Sequence, residues 1–388
     1  MAQPTQQDSA IANMMARNAV TSQALKQLLP AAAANLALVN GDLQNPLIQL
    51  TPAPTGVMLG FYVLIKANIT NNTGGVVTRT PFAAANLLQN ATYRDVGNQP
   101  RTNASGKMLH MLMSQKASRV FGATVSPDDG SAPSYGNWGV NACPPTIANG
   151  SSADIKMMFY IPLAYSEYDL RGAVFGNIAQ ANQSLNITLA SKANIIASST
   201  DNPVDAIYQS ASATKTCSIN SMSYDVRLST YGNGLPMRDG QYIVPLNDLS
   251  TVYALNETVV SGLTVGQQLS IPYPNAWEYV STTGLYVNGN TLSAGGDIAG
   301  IEIKTASGIS WGEITPDFHA FTTALRLGAN PPAGMYFDSH HQKPIRVQDY
   351  GAITYNVRPS IVNANASYRL GYEFFERLSN YTATGLTM

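Results

Sequence analysis

The strongest constraint in this chain is a strict two-residue alternation that begins at residue 57. Phe61, Val63, Ile65, Ala67 and Ile69 alternate with Tyr62, Lys66, Asn68 and Thr70, and Asn71-Asn72-Thr73-Gly74-Gly75 then reads as a turn. A period of two places one set of side chains on each face of a pleated strand. Similar runs predict strands over 155–161, 185–189, 217–228, 284–288, 301–304, 352–357 and 367–375. In the last of these, Tyr368, Leu370, Tyr372 and Phe374 share a face. Within 217–228 the alternation slips near Ser221, which predicts a bulge.

Helical signals are short and scattered. Asp201-Asn202-Pro203 offers a cap and a first-turn proline, Asp248 can cap a helix over 249–254, and Thr315-Pro316-Asp317 opens a further one. In that third segment Phe318, Phe321 and Leu325 share a face before Gly328. Such pieces do not alternate with strands as βαβ units would. The expected class is all-β with short helical inserts, and 127–150 reads as a long Gly/Pro/Asn-rich loop. At 388 residues the chain is too long for one ordinary sandwich and comfortable for two. It divides naturally near Pro245, and Ile161-Pro162-Leu163 faintly echoes Val244-Pro245-Leu246.

The N-terminus stands outside this pattern. Residues 8–29 read as one helix, capped by Asp8 or Ser9 and stopped by Pro30. Ile11, Met14 and Met15 form one apolar patch, Leu25, Leu28 and Leu29 another, and Arg17 and Lys26 are the cations. Such a helix suits an arm resting on a membrane surface or a neighbouring subunit. The plainer alternative is a leader helix packed on its own domain. The first residues lack the basic and apolar regions of a signal peptide. The apolar stretch 28–39 is short and broken by Pro30 and Asn35, so no bilayer span is expected there. A cytoplasmic site of synthesis follows as the expectation.

Charge narrows the function. Only 12% of residues are charged, where about 25% is usual. That depletion fits a surface covered by neighbours, although secreted β-proteins share it. The net charge is -1 and no Lys/Arg block occurs, so direct binding to nucleic acid is not expected. Cys143 and Cys217 lie too far apart to suggest a disulfide framework or a metal site, and two free thiols are the expected state.

No catalytic constellation emerges. His340-His341 is the most tempting metal pair, but adjacent strand side chains point to opposite faces and only Asp338 stands nearby. His110 stands alone, and His319 reads as a satisfied or surface histidine. The pairs Glu167/Asp169 and Asp128/Asp129 read better as a helix start and a turn than as glycosidase carboxylates. Neither a nucleophile elbow nor a zinc, P-loop or dinucleotide motif is present. Asn-x-Ser/Thr triplets at Asn68, Asn103 and Asn186 arise readily in so Asn/Thr-rich a chain.

The run Tyr160-Ile161-Pro162-Leu163-Ala164-Tyr165-Ser166-Glu167-Tyr168-Asp169-Leu170-Arg171-Gly172-Ala173-Val174 resembles a signature stretch of the tectivirus major capsid proteins. Further segments match in order: Gly60-Phe61, Ala85-Asn86-Leu87, Thr146-Ile147-Ala148, Asn202 to Gln209, Pro245 to Thr251, Lys343-Pro344-Ile345 and Gly371 to Phe375. The resemblance covers roughly residues 57 to 377 and departs at the first 55 residues and the last ten.

The resemblance implies a double jelly roll, with two eight-stranded sandwiches in one chain. The implied division is an N-terminal helical arm and linker over 1–55, jelly rolls over 56–245 and 246–377, and a tail over 378–388. It further implies homotrimers of nearly hexagonal outline that tile an icosahedral virion shell over an internal membrane. Minor capsid and vertex proteins would be further partners, with no cofactor, metal or catalysis. Ile11, Met14, Met15, Arg17 and Lys26 would then be the candidate contacts to lipid or neighbouring subunits. Two rival readings remain: a carbohydrate-binding sandwich using Trp138, Trp277 or Trp311, and a jelly-roll glycoside hydrolase.

Overall fold

The computed structural model describes residues 26–43, 46–52, 57–95, 98–121, 143–166, 171–175, 183–231, 237–238, 241–242, 251–274, 278–289, 291–292, 295–308, 310, 312–327, 334–340 and 344–377. The principal strands of the first half are β1 (Lys26–Asn35), β2 (Leu47–Leu50), β3 (Val57–Asn71), β4 (Leu88–Arg94), β5 (Pro100–Ala104), β6 (Ser152–Pro162), β7 (Ser184–Leu189) and β8 (Cys217–Tyr231). Helix α1 (Gly106–Phe121) lies among them. The second half carries β9 (Thr251–Ser261), β10 (Leu269–Pro272), β11 (Glu278–Asn288), β12 (Ile298–Thr305), helix α2 (Pro316–Leu327), β13 (Met335–Ser339), β14 (Ile353–Pro359) and β15 (Ser367–Arg377).

The alternation near residue 57 does form the long strand β3, whose inward set Phe61, Val63, Ile65, Ala67 and Ile69 is buried. It pairs antiparallel with β6 on one side and β8 on the other. The register of β8 shifts between Ile219 and Ser221, where the alternation slips. Facing this sheet, β2, β7, β4 and β5 run in order across the other layer. Between the layers Phe61, Tyr93, Ile155, Phe159, Leu185 and Ile187 belong to one buried cluster.

The facing layer does not end at β5. Strand β9 pairs with it in parallel, Leu255 opposite Thr102 and Asn256 opposite Asn103. Strands β15 and β11 follow, so one sheet runs through both halves. In the second half β12, β14 and β10 form the opposing layer. Tyr279, Tyr286, Tyr355, Tyr368, Tyr372 and Phe374 fill the space between. Gly284 of β11 leaves room for this aromatic packing: a Cβ there would stand 2.1 Å from the Tyr368 hydroxyl oxygen. The expected face of Tyr368, Leu370, Tyr372 and Phe374 is wholly interior.

Three expectations need correction. Residues 26–29 were expected to close a helix, but they open β1, with Lys26 opposite Tyr231. Strand pairing along the edge of β8 overrides helix propensity there. Pro30 is tolerated at an outer strand, beside the register shift between Pro30 and Ala32. The arm expected through residue 55 therefore contains two sheet strands, β1 and β2. The helix expected over 249–254 is overturned in its described part, since Thr251 begins β9, which pairs along its whole length with β15. Helix α1 was not anticipated; Ser105 caps it by accepting from the Met108 N–H at 3.3 Å. The short turn Pro203–Asp205 does form, capped by Asn202, and α2 starts at Pro316 as expected.

Candidate functional site

Of the candidate contact residues, Ile11, Met14, Met15 and Arg17 lie outside the described residues, and Lys26 heads a sheet strand. Trp138, Trp277, Trp311, His341, Glu167, Asp169 and the Asp128/Asp129 pair also lie outside them.

Several of the described ionisable groups pair within the fold. His319 is buried on α2, with Nε2 3.2 Å from Asp338 on β13 and Nδ1 3.4 Å from the Thr323 hydroxyl. Asp338, the carboxylate nearest His340 in sequence, thus stands beside α2. Glu373 is fully buried, and its two oxygens accept from the Tyr253 and Ser281 hydroxyls. Burial, and then the neighbouring Glu373 charge, push the Tyr253 phenol well up. Among the described residues no three His, Cys, Asp or Glu side chains converge as metal ligands. Cys143 and Cys217 are free thiols.

The cavities among the described residues include a pair with contrasting linings. One, of about 120 Å³, lies between Gln268, Glu302, Glu313, Asn356 and Arg358. It is small beside the usual ligand pocket of roughly 300 Å³ or more. There the Glu302 carboxyl sits below its ordinary value, chiefly because it accepts from Ser310 and also from Asn356. The second, of about 300 Å³, is an open groove along Ala33, Ala34, Leu64 and Tyr224.

The densest chemistry lies at the seam between the halves. Lys107 enters from α1, Asp205 from the turn beyond β7, Glu257 from β9 and Arg369 from β15. Lys107 Nζ bonds Asp205, and Arg369 reaches Asp205 at 2.8 Å and Glu257 at 3.5 Å. The Ser105 backbone N–H donates to Glu257 at 2.6 Å. Burial, followed by the Arg369 charge, depresses the Lys107 ammonium. Burial alone would raise Asp205, but Lys107 and Arg369 beside it hold its carboxyl below the usual value.

Close backbone approaches reinforce the seam. Gly172, at φ +79°, lies so near β9 that a Cβ would fall 2.4 Å from the Tyr253 nitrogen. Gly371 of β15 leaves room for Met108 of α1, whose sulfur would be 2.3 Å from a Cβ there. The Arg171 guanidinium covers the Phe375 ring at 4.9 Å. With the shared sheet, these contacts hold the halves side by side in one orientation. No such cluster was legible beforehand, since its members lie up to 262 positions apart, from Lys107 to Arg369.

Among the described residues, a pronounced apolar surface feature lies on α2. Helix α2 turns His319 and Thr323 inward, while Phe318, Phe321 and Leu325 are 68%, 61% and 71% exposed. The shared face foreseen for these three residues exists, but it points away from the chain's own core.

Comparison with known proteins places this geometry. A model of the P3 major capsid protein N-terminal domain matches residues 2–230, and one of the P3 major capsid protein C-terminal domain matches residues 250–385. Major capsid protein P3 of Enterobacteria phage PRD1 is 35% identical over 371 residues, covering 95% of this chain and 92% of the relative. Among solved structures, the crystal structure of the STIV MCP aligns with TM-score 0.61 at 14% identity, covering 94% of this chain and 99% of that one. PBCV-1 VP54, fitted into the virophage Sputnik, aligns with TM-score 0.56 at 10% identity, covering 91% and 93%. These distant likenesses concern the fold, which is the double jelly roll expected from the sequence.

Proposed function

The chain belongs to the P3 major capsid protein family, and from that premise we propose how it builds its shell. It is the major capsid protein of a PRD1-like bacteriophage, and its place is the virion shell. Three copies associate into a tile of nearly hexagonal outline, because each contributes two sandwich modules and threefold repetition gives six. The tiles pave an icosahedral shell over an internal membrane. Residues 1–25, including Ile11, Met14, Met15 and Arg17, serve as an arm to lipid or neighbouring subunits. Minor capsid and vertex proteins are the other partners. The protein works by association, without catalysis, cofactor or direct contact with the genome.

The observation that carries this reading is the seam. Independent modules joined by a flexible linker would not present a fixed outline to neighbours. Here a sheet shared through β5 and β9 and the ion cluster of Lys107, Asp205, Glu257 and Arg369 fix the angle between modules. The break between the two family matches, after residue 230 and before residue 250, supports a module boundary near residue 245. The sheet strands β1 and β2 extend the first module back to residue 26.

Native mass spectrometry and electron microscopy of the purified protein test the reading. A three-chain particle with six lobes is expected; a monomer at all concentrations rejects it. Deleting residues 1–25 should leave that particle intact and impair its assembly on lipid, whereas loss of the trimer would reject the role given to the arm.

A further inference from the structure

Helix α2 is an inverted amphipath. An ordinary surface helix turns its apolar stripe inward. Here residues 318, 321 and 325, spaced i, i+3 and i+7, put two phenylalanines and a leucine outward. The orientation is set by the other side: His319 meets Asp338, and the Thr323 hydroxyl donates to the Phe337 carbonyl at 3.3 Å. Both contacts lie on β13, so rolling the apolar face inward would break the Thr323 bond, strip the Phe337 carbonyl of that donor and draw His319 away from Asp338.

We propose that this face is a contact within the three-chain particle, covered by a second copy of this chain. The inference rests on the trimeric reading above. Self-assembly is the established activity of the family, so another copy is the partner always at hand. The area fits. At these exposures the three side chains present roughly 350–400 Å² of apolar surface. That is about half of the roughly 800 Å² that each partner buries in a standard interface. It also falls in the size range of the largest apolar patch of a typical monomer, which is often functional. In a threefold ring each contact is heterologous, so the α2 face of one copy meets a different surface of the next.

A lipid surface is the less favoured occupant. Membrane-surface helices set their apolar face against a polar face rich in Lys and Arg. Helix α2 has one acid and one base, Asp317 and Arg326, and its polar side chains His319 and Thr323 are already spent on β13.

The test is the full-length Phe318→Ser/Phe321→Ser variant, followed by native mass spectrometry over a dilution series. Both side chains face solvent in the single chain, so its circular dichroism should match the parent. The concentration at which half the chains are trimeric should rise about tenfold or more. Should that variant unfold, Leu325→Lys alone must produce the same shift. Trimers as resistant to dilution as the parent's overturn the proposal. So does a variant that stays trimeric while losing flotation with phosphatidylglycerol vesicles that the parent shows, since lipid would then be the occupant. A parent protein that never forms trimers overturns the three-chain reading itself, an outcome the dilution series separates from failure of the α2 contact.

Discussion

Replacing Arg369 by methionine keeps the aliphatic stem and removes the charge that links Asp205 and Glu257 across the seam. Its side chain is 17% exposed and lies between Asp205, 42% exposed, and Glu257, 7% exposed. The bond to Asp205 is half in water and should contribute at most about 1 kcal/mol. Glu257 decides the outcome. Without the guanidinium it remains buried, with the Ser105 N–H and the nearby Lys107 charge in partial compensation. Breaking a buried pair from one side costs about 3–5 kcal/mol. The remaining partners, and relief of the repulsion between Arg369 and Lys107, bring the expected loss to about 2–3 kcal/mol. At a urea dependence of about 3 kcal/mol/M, the unfolding midpoint should fall by somewhat under 1 M. Chain concentration must be held constant, because association also stabilises the fold. The diagnostic step is to add Glu257→Gln. With no buried charge left unpaired, the double variant should recover about 1.5 kcal/mol or more relative to the sum of the single variants. Additivity within about 0.5 kcal/mol would refute the idea that this cluster acts as one clasp.

Two further outcomes follow from the ionisable groups. Burial pushes the Cys217 thiol up to about 11, so at pH 8 the native protein should leave it unlabelled by a soluble thiol reagent and yield it only after denaturation; rapid native labelling of Cys217 would show the β8 entrance to be open. Asp201 accepts the Ser198 backbone N–H at 2.9 Å and pairs with Lys215 at 3.0 Å, which holds its carboxyl at about 2 against an ordinary 3.8. A depressed acid stabilises the fold above its unfolded value, so this contribution is complete above about pH 4 and is lost as the pH falls towards 2. A carboxyl titration by NMR with a midpoint near 3.8 would remove the basis for that statement.

The sequence by itself determined the class and the strands with clean alternation. Period-two alternation is local: each residue's face depends only on its neighbours along the pleat, so β3, β6 and β15 and the bulge in β8 could be read directly. Local signals also placed the start of α2, at Pro316. They failed where a partner strand overrides local propensity, as at residues 26–29 and at β9. They failed again at α1, whose run Met108, Leu109, Met111 and Leu112 is buried on too many sides to show an amphipathic period. Only the tertiary structure decided which groups meet. Lys107, Asp205, Glu257 and Arg369 carry no spacing signal, because their encounter is set by how two sheets join across β5 and β9. For the same reason the sequence could place Phe318, Phe321 and Leu325 on one face of a helix, but not say that the face looks outward. Its direction goes with the Thr323 hydroxyl bonding the Phe337 carbonyl and His319 lying beside Asp338, both on β13, a strand that α2 meets only in the folded chain.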